Sequence, residues 1–323
     1  MMRLNGSDHQ FMNWLGLLRI PNLAIILLTQ YLLGYGIIRP LLAMQNVEPP
    51  LGHFLFFLLV LATVLIAAGG YIINDHFDVN TDRRNKPGKN MLEGRISVRK
   101  AFRLYYIFNG IAVIAGFYLA WQAGSLQLGL IFPAVIGLLW FYSSRYQRMM
   151  LWGNLLVAML SAMVVLIVWL FEFFMLVGSS DDFVNVINQL GAINNYVWAY
   201  ALFAFMLSLV REILKDIEDM KGDMSTGYRT LPVLRGIRTA RIVAAILVIF
   251  LMALLALGQY YLFNKGLMMP FWYITIVVQS ILIYLLIQLI QQAEAEKYGY
   301  LSITAKIIMV AGILSMELIY ISF

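Results

Sequence analysis

The sequence predicts an all-α fold, a multi-pass membrane helical bundle of about nine transmembrane helices, and three observations lead there. The 323 residues are 62% hydrophobic and only 12% charged, with a mean hydropathy of +0.80. Such values lie far outside the range of a soluble globular domain. Apolar runs long enough to cross a hydrocarbon core of about 30 Å, which takes roughly 20 helical residues, recur along the whole chain. Finally, lysine and arginine concentrate in every second connection between those runs, as expected of segments retained on the inner side of a membrane.

The opening stretch "MMRLNGSDHQFMNWLGLLR" is polar and then amphipathic. It lacks the basic start and apolar core of a cleavable leader and is expected to lie along the membrane surface. Helix 1 is predicted over residues 20–38 and helix 2 over 51–73, the latter running directly into the polar string "NDHFDVNTD". Helices 3 and 4 follow over 98–121 and 125–144, then helix 5 over 151–175. A polar outer segment, 176–194, carries no assignable role, and helix 6 follows over 195–215. A second acid-rich string precedes helix 7 over 239–262, helix 8 over 270–291 and helix 9 over 300–322. Little chain is left for a separate soluble unit, so 1–323 reads as a single membrane-embedded domain.

With the N-terminus inside, all but Arg39 and Lys265 of the 23 basic residues fall in the inner segments. That asymmetry places the N-terminus and the loops after helices 2, 4, 6 and 8 in the cytosol, with the plasma membrane as the expected location. The formal charge of +6 is therefore an orientation signal, and its confinement to short loops argues against nucleic-acid binding. Cysteine is absent, which excludes disulfides and thiolate metal sites.

The chemistry gathers in two strings. Asp216, Asp219 and Asp223 follow Asp75, Asp78 and Asp82 at the same offset of 141 residues (216 − 75, 219 − 78, 223 − 82), so both strings read D-x-x-D-x-x-x-D. We read this as an internal parallel repeat, helices 1–4 and 5–8 plus helix 9. An even number of spans separates helices 2 and 6, so both acidic ends emerge on one membrane face. On a helix, Asn74, Asp78 and Asp82 share a side, as do positions i, i+3 and i+7 of each aspartate string. Columns of like charge require a cationic partner. Carboxylate and amide oxygens suit magnesium, a hard ion that is commonly held by one or two carboxylates together with substrate phosphates. Arg83, Arg84, Lys86, Lys89 and Arg95 after the first string, and Lys215, Lys221 and Arg229 around the second, complete the pattern of a metal-bridged diphosphate site.

"NDHFDVNTD", "NKPGKNMLEGRIS" and "DIEDMKGDMSTGYRTLPV" resemble the two aspartate-rich signatures of the UbiA-type intramembrane prenyltransferases. The resemblance extends over nearly the whole chain and includes "YSSRYQRMMLWGNLLVA" at helices 4 to 5. It implies a bundle whose central cavity, open to the cytosolic side, binds a polyprenyl diphosphate through two magnesium ions and transfers the prenyl group to an acceptor with release of pyrophosphate. Carried over by position, Asn74, Asp78 and Asp82 are the expected ligands of the first motif, with Asp75 in support. Asp219 and Asp223 hold the other ion, and Asp216 acts as a further ligand or orients the acceptor. Arg84, Lys86, Lys89, Lys215, Lys221 and Arg229 are expected to bind the diphosphate. "NKPGK" departs from the family's usual "NRP" and loses a guanidinium there. Tyr142, Arg145 and Asn154 are further candidates for substrate binding. Glu172, Glu317, His9, His53 and His76 are left outside the site.

The acceptor stays open at this point. "KDIEDMKGD" with "RTLPV" resembles the branch that transfers geranylgeranyl to geranylgeranylglyceryl phosphate in ether-lipid synthesis, and an aromatic quinone-precursor acceptor is the alternative. The partners implied are geranylgeranyl diphosphate, a lipid-like or aromatic acceptor and membrane lipids, with no protein partner. An ion-coupled transporter is the rival of another class, although its acids are expected near the bilayer midplane rather than at one edge. The D-G-x-x-A-R start of a CDP-alcohol phosphotransferase is absent.

Overall fold

In lipid, each backbone N–H and C=O must find its partner within its own segment, so long apolar runs become continuous helices. The computed structural model describes residues 6–85, 90–187, 189–291 and 297–322, and among these are nine helices long and apolar enough to span a membrane. They are α1 (Ile20–Ala43), α2 (His53–Asn85), α3 (Val98–Gln122), α4 (Leu126–Ser144) and α5 (Trp152–Gly178). The series continues with α6 (Leu190–Thr226), α7 (Leu231–Asn264), α8 (Met268–Gln291) and α9 (Tyr298–Ser322). Two short helices, Gly6–Leu17 and Ser180–Val186, precede α1 and α6.

The predicted spans all correspond to helices, and the largest boundary differences fall at the two acidic strings. α2 continues about three turns past residue 73, and α6 about three turns past residue 215. Hydropathy reports where lipid ends, whereas a helix continues for as long as its backbone ladder is intact. α7 begins at Leu231, earlier than predicted, and breaks its ladder at Gly236 (φ 81°, ψ 159°).

The two extended helices are central. α6 packs on α5, α7 and α9, while α2 packs on α1, α3 and α4, and α2 and α6 touch each other. Their apolar lengths bury side chains such as Leu59, Ile66, Leu207 and Ile213 in one continuous core that also takes in Phe132, Phe171 and Met316. A smaller cluster under the N-terminal helix joins Leu17 to Ile72, Ile73, Leu92, Ile96 and Tyr105. This cluster anchors the chain before α1 beside the first acidic string. We call the end of the bundle that carries both strings the motif face.

Candidate active site

The extended ends of α2 and α6 turn their polar sides toward each other and enclose a chamber of about 260 Å³. Asn74, Asp75, Asp78 and Asp82 line one wall, and Glu212, Lys215, Asp216, Asp219 and Asp223 line the other. Seven carboxylates (Asp75, Asp78, Asp82, Glu212, Asp216, Asp219, Asp223) therefore face two cations, Arg19 and Lys215.

Arg19 adopts a left-handed backbone (φ 50°) immediately before α1, where Pro21 starts the helix. From there its guanidinium donates to Asp75 Oδ1 at 2.7 Å and to Asn74 Oδ1 at 3.2 Å. Burial works against this charge, but the Asp75 carboxylate, together with Tyr71 and Asp78, raises the Arg19 pKa above its ordinary value. Asn74, with its oxygen turned to Arg19, donates to Asp78 Oδ2 at 2.7 Å and to Gln147 Oε1 at 2.9 Å. Gln147 also donates to Asp78 Oδ2, at 2.8 Å. Asp78 thus has one oxygen held by two amides, while Tyr228 approaches the other at 3.5 Å.

Supporting contacts hold the remaining acids. Asn90 donates to Asp82 Oδ2 at 2.9 Å and to the Asp75 carbonyl at 2.8 Å, bringing the chain after α2 back onto its own motif. Asn154 on α5 donates to Asp216 Oδ2 at 2.8 Å. Thr230 reaches Asp223 at 3.4 Å because Gly227 ends α6 in a left-handed cap (φ 78°), which reverses the chain within three residues. Burial and the neighbouring Asp78 charge raise the Tyr228 phenol above its ordinary pKa, which keeps it protonated as a donor. Arg148 lies over its ring at 5.2 Å.

Beneath the acidic chamber, deeper in the bundle, is a second space of about 280 Å³ with mostly apolar walls. Ile66, Val135, Leu139, Val164, Phe203 and Ile313 are among its lining residues. Arg19, Asn74, Tyr142, Glu212 and Lys215 line both spaces, so the two meet at this ring.

Nine of the residues singled out from sequence therefore stand around one chamber: Asn74, Asp75, Asp78, Asp82, Tyr142, Lys215, Asp216, Asp219 and Asp223. Asn154 is not on its wall but supports Asp216 from behind. Three others are not brought to the chamber. Arg145 ends α4 exposed, Lys221 lies exposed on α6 away from the side carrying Asp219 and Asp223, and Arg229 is exposed while its backbone bonds to Arg148. Arg84 falls in the last turn of α2, and Lys86 and Lys89 lie outside the described residues. Arg19, Gln147, Asn90, Glu212, Tyr228 and Thr230 also line the chamber, although none belongs to the repeated aspartate pattern. Glu212 carries a sequence signal, one helical turn before Asp216, but it lies outside the repeated aspartate spacing.

Among the described residues, no three His, Cys, Asp or Glu side chains converge as a preformed metal cage. The donors are nevertheless all oxygens, which suit a hard divalent ion completed by water and phosphate oxygens.

An acid-walled chamber opening onto an apolar one, inside a helical membrane bundle, defines an integral membrane protein built for an amphiphile with a charged head and an apolar chain. The chain belongs to the UbiA prenyltransferase family, whose profile matches residues 32–302, and it is a prenyltransferase. It is 34% identical over 222 residues to the digeranylgeranylglyceryl phosphate synthase of Metallosphaera sedula, covering 68% of this chain and 70% of that one. To the synthase of that name from Saccharolobus solfataricus it is 30% identical over 258 residues, covering 79% and 80%. A solved structure described by its work on digeranylgeranylglyceryl phosphate synthase in membranes superposes with a TM-score of 0.60 at 22% identity, covering 97% of this chain and 99% of that one. A UbiA homolog from Archaeoglobus fulgidus bound to DMAPP and Mg2+ superposes with a TM-score of 0.50 at 16% identity, covering 94% and 99%.

Proposed function

We propose that the chain transfers a geranylgeranyl group from geranylgeranyl diphosphate to geranylgeranylglyceryl phosphate, releasing pyrophosphate, with two magnesium ions bound between its aspartate motifs. The observation that carries the metal reading is the imbalance of seven carboxylates against two cations in one confined chamber. Like charges at this density require positive charge that the protein does not itself provide. The names of the relatives at 34% and 30% identity support the choice of acceptor.

In this reading Asn74, Asp78 and Asp82 hold one ion and Asp219 and Asp223 the other, with Asp216 as a further ligand. The ions neutralise the diphosphate and stabilise the charge that gathers on it as it leaves. Lys215 adds its ammonium to the same anion, and Arg84, Lys86 and Lys89 are assigned to its outer side. Asn74 and Gln147 fix the Asp78 carboxylate, so that it is oriented before substrate arrives. The prenyl chain lies in the apolar chamber, whose walls exclude water from the carbon that loses the diphosphate. The acceptor oxygen then bonds to that carbon, and its proton is released. The motif face is assigned to the cytosol, and 1–323 to one domain built on two parallel repeats.

Purified protein with magnesium is expected to release pyrophosphate from geranylgeranyl diphosphate when the glyceryl phosphate acceptor is present, and EDTA is expected to stop it. Asp78→Ala and Asp219→Ala should each lower turnover roughly 100-fold or more, the scale of losing several kcal/mol of metal-mediated stabilisation, without changing the melting temperature by unfolding. Full turnover in both variants would sink the metal-site reading.

A further inference from the structure

The lower chamber inverts the charge of the upper one. Four cations line it (Arg19, Arg211, Lys215 and Lys306), and among its described lining residues Glu212 is the one carboxylate. Arg19 is already paired with Asp75 at 2.7 Å. Glu212, with its side chain 8% exposed, takes Arg211 at 2.6 Å and Lys215 at 3.6 Å. Lys306, on α9, forms no ion pair or hydrogen bond among the described residues, and Arg211 Nε is buried without a hydrogen-bond partner. Arg211, Lys215 and Arg19, all of its own sign, line this chamber with Lys306.

Three cations and one carboxylate thus remain at this level of the bundle, an excess of two positive charges among apolar walls. Such an arrangement is costly without an anion to complete it. Arg211 and Lys215 stand one turn apart on α6, and Asp219 is a further turn toward the motif face. Along the helix axis Arg211 therefore lies about 12 Å below Asp219 and outside the acidic chamber's lining, while Lys215, about 6 Å below it, stands where the two chambers meet.

We propose that Arg211 and Lys306, with Lys215 at the junction of the two chambers, form a second anion site that holds the phosphate monoester of the acceptor, below the metal-facing diphosphate site. The assignment rests on the prenyl-transfer reading above and names the part of the protein that selects the acceptor. A phosphate monoester carries about −1.5 to −2 charges near neutral pH, matching the excess of two, whereas a carboxylate would leave one cation uncompensated. Three acceptor oxygens also suit the guanidinium of Arg211 and the two ammonium groups. Because Lys215 and Glu212 line both chambers, the headgroup held there sits against the ring where the two spaces meet, which brings its hydroxyl toward the end of the prenyl chain that bears the diphosphate.

The test is steady-state kinetics of the full-length protein with magnesium, varying geranylgeranyl diphosphate and geranylgeranylglyceryl phosphate separately, on wild type, Lys306→Gln, Lys306→Arg and Arg211→Lys. Lys306→Gln is expected to raise the acceptor KM roughly tenfold or more, the loss of one charge-assisted contact, while the donor KM stays within about twofold. Lys306→Arg should recover most of the acceptor KM, and Arg211→Lys should raise it. In a second arm, glycerol 1-phosphate should inhibit wild type competitively against the acceptor and inhibit Lys306→Gln more weakly. An unchanged acceptor KM in Lys306→Gln, or a donor KM that rises as far as the acceptor KM, overturns the site. So does a wild type that prenylates dihydroxynaphthoate or hydroxybenzoate but not the glyceryl phosphate. A wild type that releases no pyrophosphate with any acceptor defeats the underlying reading instead, so the two failures are distinct.

Discussion

Arg19 shows how one side chain can organise the acids around it. Its guanidinium holds Asp75, orients Asn74 by its oxygen, and through Asn74 sets the amide that faces Asp78. Replacing it with methionine leaves Asp75, 8% exposed, without its charge partner. Arg19→Met should therefore lower stability by about 1–3 kcal/mol, read as a fall in melting temperature in detergent. The double variant Arg19→Met/Asp75→Asn should regain much of that loss, since removing both partners leaves no orphaned charge. An additive loss in the double variant would show that the pair is not coupled.

At the scale of the element, the site depends on two helices that continue past the lipid edge and on turns that fold back over them. The turn after α4 delivers Gln147 to Asp78 only because residue 153 has no side chain. A Cβ there would lie 2.8 Å from the Tyr146 carbonyl oxygen and 3.0 Å from Gln147 Cα. Gly153→Ala should displace this turn, costing about 1–3 kcal/mol and reducing turnover through loss of the Gln147 contact. Gly178→Ala, with open space around the new methyl, should change neither melting temperature nor turnover. Equal behaviour of the two variants would remove the steric argument. Gly227 makes a complementary contribution, because its φ of 78° lets α6 end abruptly and brings Tyr228 and Thr230 back toward Asp78 and Asp223.

Across the whole molecule, charge is layered. Acids dominate the chamber at the motif face, and cations dominate the level beneath it. In the reading proposed above, the donor diphosphate and the acceptor phosphate occupy adjacent levels that meet at Lys215. The assignment of the motif face to the cytosol can be checked directly because the chain has no cysteine. Arg145→Cys, on the motif face, should resist a membrane-impermeant maleimide added outside intact cells, whereas Lys265→Cys should react. The reverse pattern would invert the orientation.

Span number, approximate boundaries and the paired aspartates were legible in the sequence because each depends on local chemistry. Lipid sets the length of an apolar run, and helical periodicity sets which acids share a side. The matching offset of the two strings likewise marks Asp78 and Asp219 as counterparts. Arg19, Gln147, Tyr228 and Lys306 carry no such pattern: each comes from a different segment, and each reaches the chambers only when the chain before α1, the turn after α4, the turn after α6 and α9 converge on the ends of α2 and α6. Arg145, Lys221 and Arg229 show the converse, cations adjacent in sequence to the motifs but exposed away from the chamber. The sequence by itself determined the membrane bundle and the oxygen-rich chemistry of its site. Only the tertiary structure decided which charges meet, because charge compensation depends on distance through space and burial, neither of which is encoded in spacing along the chain.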